Sequence, residues 1–250
     1  MALQEEFEKQ GNWLFRYRGI LPFIILIAGI FLYLHTKLNP DTYFLEGTSF
    51  EIYFEYICFL VSLLGLFIRV YTMGRTPKNT SGGNVKKQVA GELNTTGAYS
   101  LVRHPLYVGN FFMWLGPMLL TGHIWFIIII CLSYWLYYER IMFAEEQFLR
   151  KKFGDPYLEW AKNVPPFIPH FKGFVKPNLP FSWKKILKKE KNVFIAVFLV
   201  FLLFDVAGEL IVNEREFNYF FAAGFILSAL SYVIIKLLKN RTSVLDDPGR

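Results

Sequence analysis

Arg103-His104-Pro105 is preceded four residues earlier by Tyr99 and followed by Tyr107, and two adjacent glutamates stand further on at Glu145-Glu146. These side chains suit the holding of a charged reactant. The glutamates offer carboxylates to a cation, while Arg103 and the His104 ring offer donors to an anion. Pro105 fits the first turn of a helix, where its missing N–H costs nothing, and such a helix start presents backbone donors at a positive terminus suited to a carboxylate. Each group has an ordinary reading too. An interfacial histidine also serves as a hydrogen-bonded structural residue, and the glutamates sit at helical spacing from Arg150 and Lys152. The stretch from Gly74 to Asn84 cannot continue a helix; it is a solvated connector, or a loop that offers Arg75, Lys78 and backbone N–H groups to an anionic head group.

The elements that must position these groups are restricted by composition. The 250 residues are 54% hydrophobic and 19% charged, with 27 Lys and Arg against 20 Asp and Glu, a formal net charge of +7. That is too apolar for an ordinary water-soluble domain, and it excludes disordered, collagen-like and disulfide-scaffold chains. Apolar runs cover Gly19 to Thr36, Tyr56 to Ile68, Leu106 to Tyr138, Asn192 to Asn213 and Phe217 to Ile235. A straight helix through Leu106 to Tyr138 would be about 50 Å long against a hydrocarbon core of about 30 Å, so it must fold back. Gly116-Pro117 and Thr121-Gly122-His123 supply the breaks, which predicts a tight hairpin of two short helices. The expected fold is an all-α integral membrane protein of about six transmembrane helices. Residues 1–73 form its first part, 74–180 a core of loop, hairpin and polar helix, and 181–250 a helical pair and tail. Within the core, Gly154 is placed to end the helix carrying the glutamates, and Asp155-Pro156 to open a short one.

Apart from Lys37, Arg69 and Arg215, every Lys and Arg falls before the first span, between the second and third, between the fourth and fifth, or after the last. The positive-inside rule therefore puts both termini and the two long loops on the cytoplasmic face of a bacterial inner membrane or endoplasmic reticulum. The first run lacks a small-residue cleavage site and reads as an anchor. No nucleic-acid motif accompanies the basic balance, which attraction to an anionic leaflet accounts for. Cys58 and Cys131 lie inside apolar runs as small buried hydrophobes, and no metal-ligand spacing surrounds them.

Taken in order, these segments resemble the isoprenylcysteine carboxyl methyltransferase family and, more widely, the membrane methyltransferases that include the phospholipid methyltransferases. The likeness covers about residues 84–179. It rests on Gly97-Ala98-Tyr99 with Arg103-His104-Pro105-Leu106-Tyr107-Val108-Gly109, on Glu145-Glu146 before Phe153-Gly154, and on Asp155-Pro156-Tyr157-Leu158-Glu159-Trp160 leading to Asn163-Val164-Pro165-Pro166. The resemblance implies S-adenosylmethionine-dependent methylation of a lipid-like substrate whose tail lies in the bilayer, with the cofactor site at the cytoplasmic face. It implies a cofactor shell of Leu93, Asn94, Tyr99, His104, Pro105, Leu106, Tyr107, Glu145 and Glu146, with Glu145 on the cofactor's α-amino group. Tyr99 or Tyr107 could face the sulfonium by cation–π attraction. One departure stands out: the carboxyl methyltransferases carry an acceptor-binding arginine four residues before the glutamate, and here that position is Ile141, beside Arg140.

A sulfonium is already an activated leaving group, so alignment of the acceptor does most of the work. A carboxylate or phosphate acceptor needs no general base, whereas an ammonium must first lose a proton. Arg140 and Arg103 are the candidate catalytic residues, with Arg75, Lys78 and Arg140 for the acceptor. The expected reaction is O-methylation of an anionic group, a phosphate or an amine of a phospholipid or lipid A-type glycolipid being the alternative to a prenylcysteine carboxylate. Two other readings stand beside it. The steroid-reductase-like enzymes, which use NADPH, share an Arg-His-Pro motif but differ at the positions of Leu106 and Asn110. A transport or structural protein would use the intramembrane charges Arg69, Asp205 and Glu209 as a path, unless these form an internal ion pair or lie near helix ends.

Overall fold

The computed structural model describes residues 2–45, 48, 50–77, 88–213, 215–247 and 249, and within them the chain forms α-helices and short 3-10 turns with no β-strand. The helices are α1 (Leu3–Arg16), α2 (Leu21–Leu38), α3 (Glu51–Met73), α4 (Pro105–Leu120), α5 (Ile124–Phe153), α6 (Asp155–Asn163), α7 (Trp183–Val212) and α8 (Tyr219–Arg241). Each apolar run thus becomes helix, and the long one becomes α4 and α5. By length and composition α3, α5, α7 and α8 are able to cross a membrane, and Pro22–Leu38 adds a shorter apolar helix, so the chain is a multi-pass membrane protein.

The hairpin differs from its expected form in two ways. Its second leg is not short: α5 has 30 residues, roughly 45 Å, and carries Glu145 and Glu146 well past one crossing. Nor does Gly116-Pro117 break the first leg, since Pro117 lies inside α4 and the chain reverses only at 121–123. Proline leaves the carbonyl four residues back without its helical donor, and here the Ser62 hydroxyl of α3 donates to that Met113 carbonyl at 2.9 Å. The approach that allows this needs glycine: a Cβ on Gly116 would stand 2.2 Å from Ser62 Oγ and 2.4 Å from the Cys58 carbonyl oxygen. Small residues at crossings serve the same end in membrane bundles generally. The reversal is held by α2, whose Thr36 hydroxyl donates to the Thr121 carbonyl at 2.9 Å.

One apolar core joins α2, α3, α4, α5, α7 and α8 through Ile25, Cys58, Phe59, Met118, Phe126, Val197, Phe201, Phe204 and Phe221. Cys58 is buried, Cys131 partly so, and both are free thiols. A bidentate ion pair pins α7 to this bundle: Arg69 donates to both Glu190 oxygens at 2.8 and 2.9 Å and to Asn110 Oδ1 at 2.6 Å. The other two charges serve the α7–α8 connection, Asp205 accepting from the Asn218 amide and Glu209 from the Glu216 amide. Outside the bundle, α1 lies along the extension of α5, with Phe7 edge-on to Phe143 and Tyr137 donating to the Leu14 carbonyl.

Candidate active site

Two segments distant in sequence meet where α5 leaves the apolar core. Gly154, at φ +60°, ends α5 and caps the start of α6, whose first residues are Asp155 and Pro156. The cap therefore falls on glycine, one position before the expected Asp155, because this turn needs a left-handed backbone. On the other side, a 3-10 turn at Gly97–Ser100 leads to His104 at the N-cap of α4. A strap over residues 164–175 fixes this segment: Arg103 and His104 amides donate to the Pro165 and Pro166 carbonyls, and the Gly97 amide to that of Val175.

The strap alters the expected anion site at the start of α4. The amides of Arg103 and His104 are already paired with it, and those of Tyr107 and Val108 donate to the His104 carbonyl. The amides of Arg103 and His104 are therefore engaged ahead of the helix, because Pro165 and Pro166 in the strap present their carbonyls to them while having no N–H of their own.

Glu145 and Glu146 do not pair along their own helix. Arg103 Nη1 donates to Glu146 Oε2 at 2.6 Å, and His104 Nε2 lies 3.0 Å from Glu146 Oε1. The Tyr107 hydroxyl donates to Glu145 Oε2 at 2.9 Å, and His104 Nδ1 is 3.6 Å from the same oxygen. The nearly parallel rings of His104 and Tyr107 are 5.6 Å apart. Burial alone would lower the His104 pKa, but hydrogen bonds and charge from both glutamates outweigh it and push the ring up to about 8. Arg18, over the Phe15 ring, adds positive field at Glu145. The Glu145 side chain is 31% exposed and that of Glu146 21%, so Glu145 is the more open acceptor.

Tyr99 faces this cluster, its phenol kept protonated first by burial and then by Glu145. Leu93, Asn94 and Leu106 are half-buried, and Pro105 is fully buried in the first turn of α4. Arg75 stacks on Tyr71 and Phe181 at the end of α3. Arg140 is not brought to the glutamates: its guanidinium lies 3.6 Å over the Phe7 ring and bonds Glu139. Ile141 is fully buried among Phe15, Tyr134, Tyr138 and Met142. Lys78 lies outside the described residues.

Several contributors are absent from the sequence motifs. Tyr134 donates to the Tyr107 carbonyl at 2.8 Å and stacks on Tyr138, which itself packs on Tyr107. Phe167 of the strap closes on Phe111, Tyr134 and Trp135. On α6, Tyr157, which stands in the motif but had no role assigned to it, sits beside Glu146 and Arg103, its phenol pKa raised by burial and then by that carboxylate. The spacing of Tyr134 and Tyr138 from Glu145 places all three on one helix face and was the available signal. The strap residues offered none beyond their prolines.

The phospholipid methyltransferase family model matches residues 54–156, which run from α3 to the start of α6. Among curated proteins, a protein-S-isoprenylcysteine O-methyltransferase of Schizosaccharomyces pombe is 33% identical over 132 residues, 50% of this chain and 56% of that protein. That of Xenopus laevis is 31% identical over 121 residues, 45% of this chain and 42% of its own length. The nickel-cobalt-cadmium resistance protein NccN of Alcaligenes xylosoxydans xylosoxydans is 36% identical over 83 residues, 33% of this chain and 38% of that protein. The chain spans about half the length of the methyltransferases it matches. No solved structure matches it. Over residues 54–156, with the relatives that overlap it, the chain is similar to the phospholipid methyltransferase family.

Proposed function

We propose that this protein is an S-adenosylmethionine-dependent methyltransferase that O-methylates a carboxylate or phosphate of a lipid-like acceptor, at the cytoplasmic face of its membrane. The observation that carries the reading is the Glu145 carboxylate, held on one side by the Tyr107 hydroxyl and the His104 ring and open on the other. The residues present fit the cofactor: Glu146 is matched by Arg103 in direct contact, which leaves Glu145 for an α-amino group. Tyr99 and Tyr107 supply aromatic surface for a sulfonium. When bound, the cofactor supplies a methyl group on an activated leaving group.

The chain's own work is placement. Glu146 ties Arg103 to His104, and Tyr134 fixes the backbone at Tyr107, so the side chains around Glu145 are held from three elements. Phe111, Tyr134, Tyr138 and Phe167 keep water from the bilayer side of the cluster. Both His104 nitrogens face carboxylates, which makes the ring a poor general base and favours an acceptor that arrives deprotonated. With Ile141 buried and Arg140 turned to α1, the acceptor's charge is met by Arg103 at the edge of the cluster. That arrangement suits a lipid phosphate as well as a carboxylate.

The test is incubation of membranes containing the protein with methyl-labelled S-adenosylmethionine, followed by lipid extraction. Label that appears with wild type and falls at least tenfold with Glu145→Ala is expected, a loss of roughly 1.4 kcal/mol or more in transition-state binding. Release of the label by mild base identifies an ester. Label retained by Glu145→Ala, or a preference for neutral or cationic lipids over anionic ones as acceptors, overturns the proposal.

A further inference from the structure

At the strap, with Arg103 in its wall, lies a cleft of about 550 Å³ lined also by Lys162, Asn163, Pro165, Ile168 and His170. Its polar lining is cationic or donor-bearing. Arg103 spends one terminal nitrogen on Glu146, and its buried Nε has no hydrogen-bond partner among the described residues. Lys162 pairs with Glu159 at 2.6 Å, but both side chains are about two-thirds exposed, so the pair is weak and exchangeable. The His170 amide is used by the Leu101 carbonyl, and its side chain is exposed.

The cleft's depth relative to the bilayer can be read from its neighbour. Phe167 is inserted between α4 and α5 against Phe111, Tyr134 and Trp135, and Trp135 is exposed on the outer surface of a helix able to cross a membrane. Tyrosine and tryptophan mark the level where headgroups meet acyl chains. The next residue, Ile168, is 73% exposed, and Phe171 just beyond is 74% exposed. Apolar side chains so open to water are costly unless something apolar covers them. A surface that places apolar tips at the acyl boundary and a cationic cleft directly behind them has the two-part chemistry of an anionic lipid.

We propose that this cleft binds the phosphate headgroup of an anionic membrane lipid, with Arg103, Lys162 and His170 on the phosphate and Ile168 on the first acyl carbons. Because Arg103 also holds Glu146, an occupied cleft would brace the segment that carries His104. The cleft and the Glu145 site share Arg103, while Lys162, Ile168 and His170 belong to the cleft alone, and lipid binding there does not depend on methyl transfer.

Purified wild type is titrated with phosphatidylglycerol and with phosphatidylcholine of the same chains, and retained lipid is counted by native mass spectrometry. Wild type is expected to hold phosphatidylglycerol about tenfold tighter, and Lys162→Ala/His170→Ala to lose on the order of fivefold of that preference. Ile168→Ser is expected to weaken both lipids alike. Binding of S-adenosylhomocysteine to the same samples should be unchanged, which keeps failure here distinct from failure of the methyltransferase reading. Equal retention of the two lipids by wild type, or an undiminished preference in the double variant, overturns the proposal. So does displacement of the lipid by glycerol 3-phosphate as readily as by short-chain phosphatidylglycerol, since the cleft would then take free phosphate.

Discussion

Glu145→Gln is the substitution that separates the two adjacent glutamates. It keeps the side chain's shape and an oxygen for the Tyr107 hydroxyl but removes the charge. A hydrogen bond to a charged partner contributes about 1.5–3 kcal/mol. Since 31% of the side chain is exposed, the lower half of that range applies, and the dissociation constant for S-adenosylhomocysteine should rise roughly 10- to 40-fold. Glu146→Gln should act differently. Its carboxylate is committed to Arg103 and His104, so its loss loosens their placement and changes affinity by only about threefold, within the scale of a partly exposed pair. Calorimetric titration measures both without any acceptor. Methylthioadenosine, which lacks the amino-acid portion, supplies the control: wild type and Glu145→Gln should bind it equally. The reasoning fails if Glu145→Gln binds S-adenosylhomocysteine as wild type does, if it loses methylthioadenosine to the same degree, or if Glu146→Gln is the more damaging change.

The raised pKa of His104 gives a pH test. Its proton is bound more tightly in the folded chain, so that contribution is complete below about 6.5, the ordinary histidine value, and disappears as pH rises through about 8; the difference in melting temperature between wild type and His104→Asn should shrink from pH 6 to pH 9, and a difference that grows contradicts the assignment. Glu190→Ala leaves Arg69, only 15% exposed, without its carboxylate, and should cost about 3–5 kcal/mol in thermal or denaturant unfolding, much of it regained in Arg69→Met/Glu190→Met. Gly116→Val should destabilise by about 3 kcal/mol or prevent folding, because the new side chain displaces Ser62 from the Met113 carbonyl; normal stability of this variant would mean that α3 and α4 do not cross so closely.

How much of this was legible in the sequence depended on range. Apolar runs fixed which stretches are helical, because a membrane span is a local property of some twenty residues. The breaker at Gly116-Pro117 misled because its effect depends on a residue far away: Ser62 takes the carbonyl that proline frees, and the helix continues. The contacts of the strap over residues 164–175 were illegible for the same reason, since Pro165-Pro166 stands in the motif but does not announce that its carbonyls will meet the amides of Arg103 and His104. The amphipathic α1 was likewise legible only as a few charges before the first span, yet its Phe7 is what receives Arg140.

The phase of α5 is a different case, because the sequence contained enough to settle it. At about 100° per residue, Tyr134, Tyr138 and Ile141 lie within roughly 40° of Glu145, whereas Arg140 is about 140° away. Once Glu145 is set toward α4, Tyr134 and Tyr138 must follow it, and Arg140 must face elsewhere. In the fold it faces α1, where the Arg140 carbonyl abuts Gly11. An arginine at position 141 would point toward the cluster, but its neighbour cannot reach the same place without turning the whole helix and taking Glu145 with it. Under the proposed function, a positive charge that meets the acceptor must therefore come from another element, where Arg103 is bonded to Glu146 and Arg18 puts its field on Glu145.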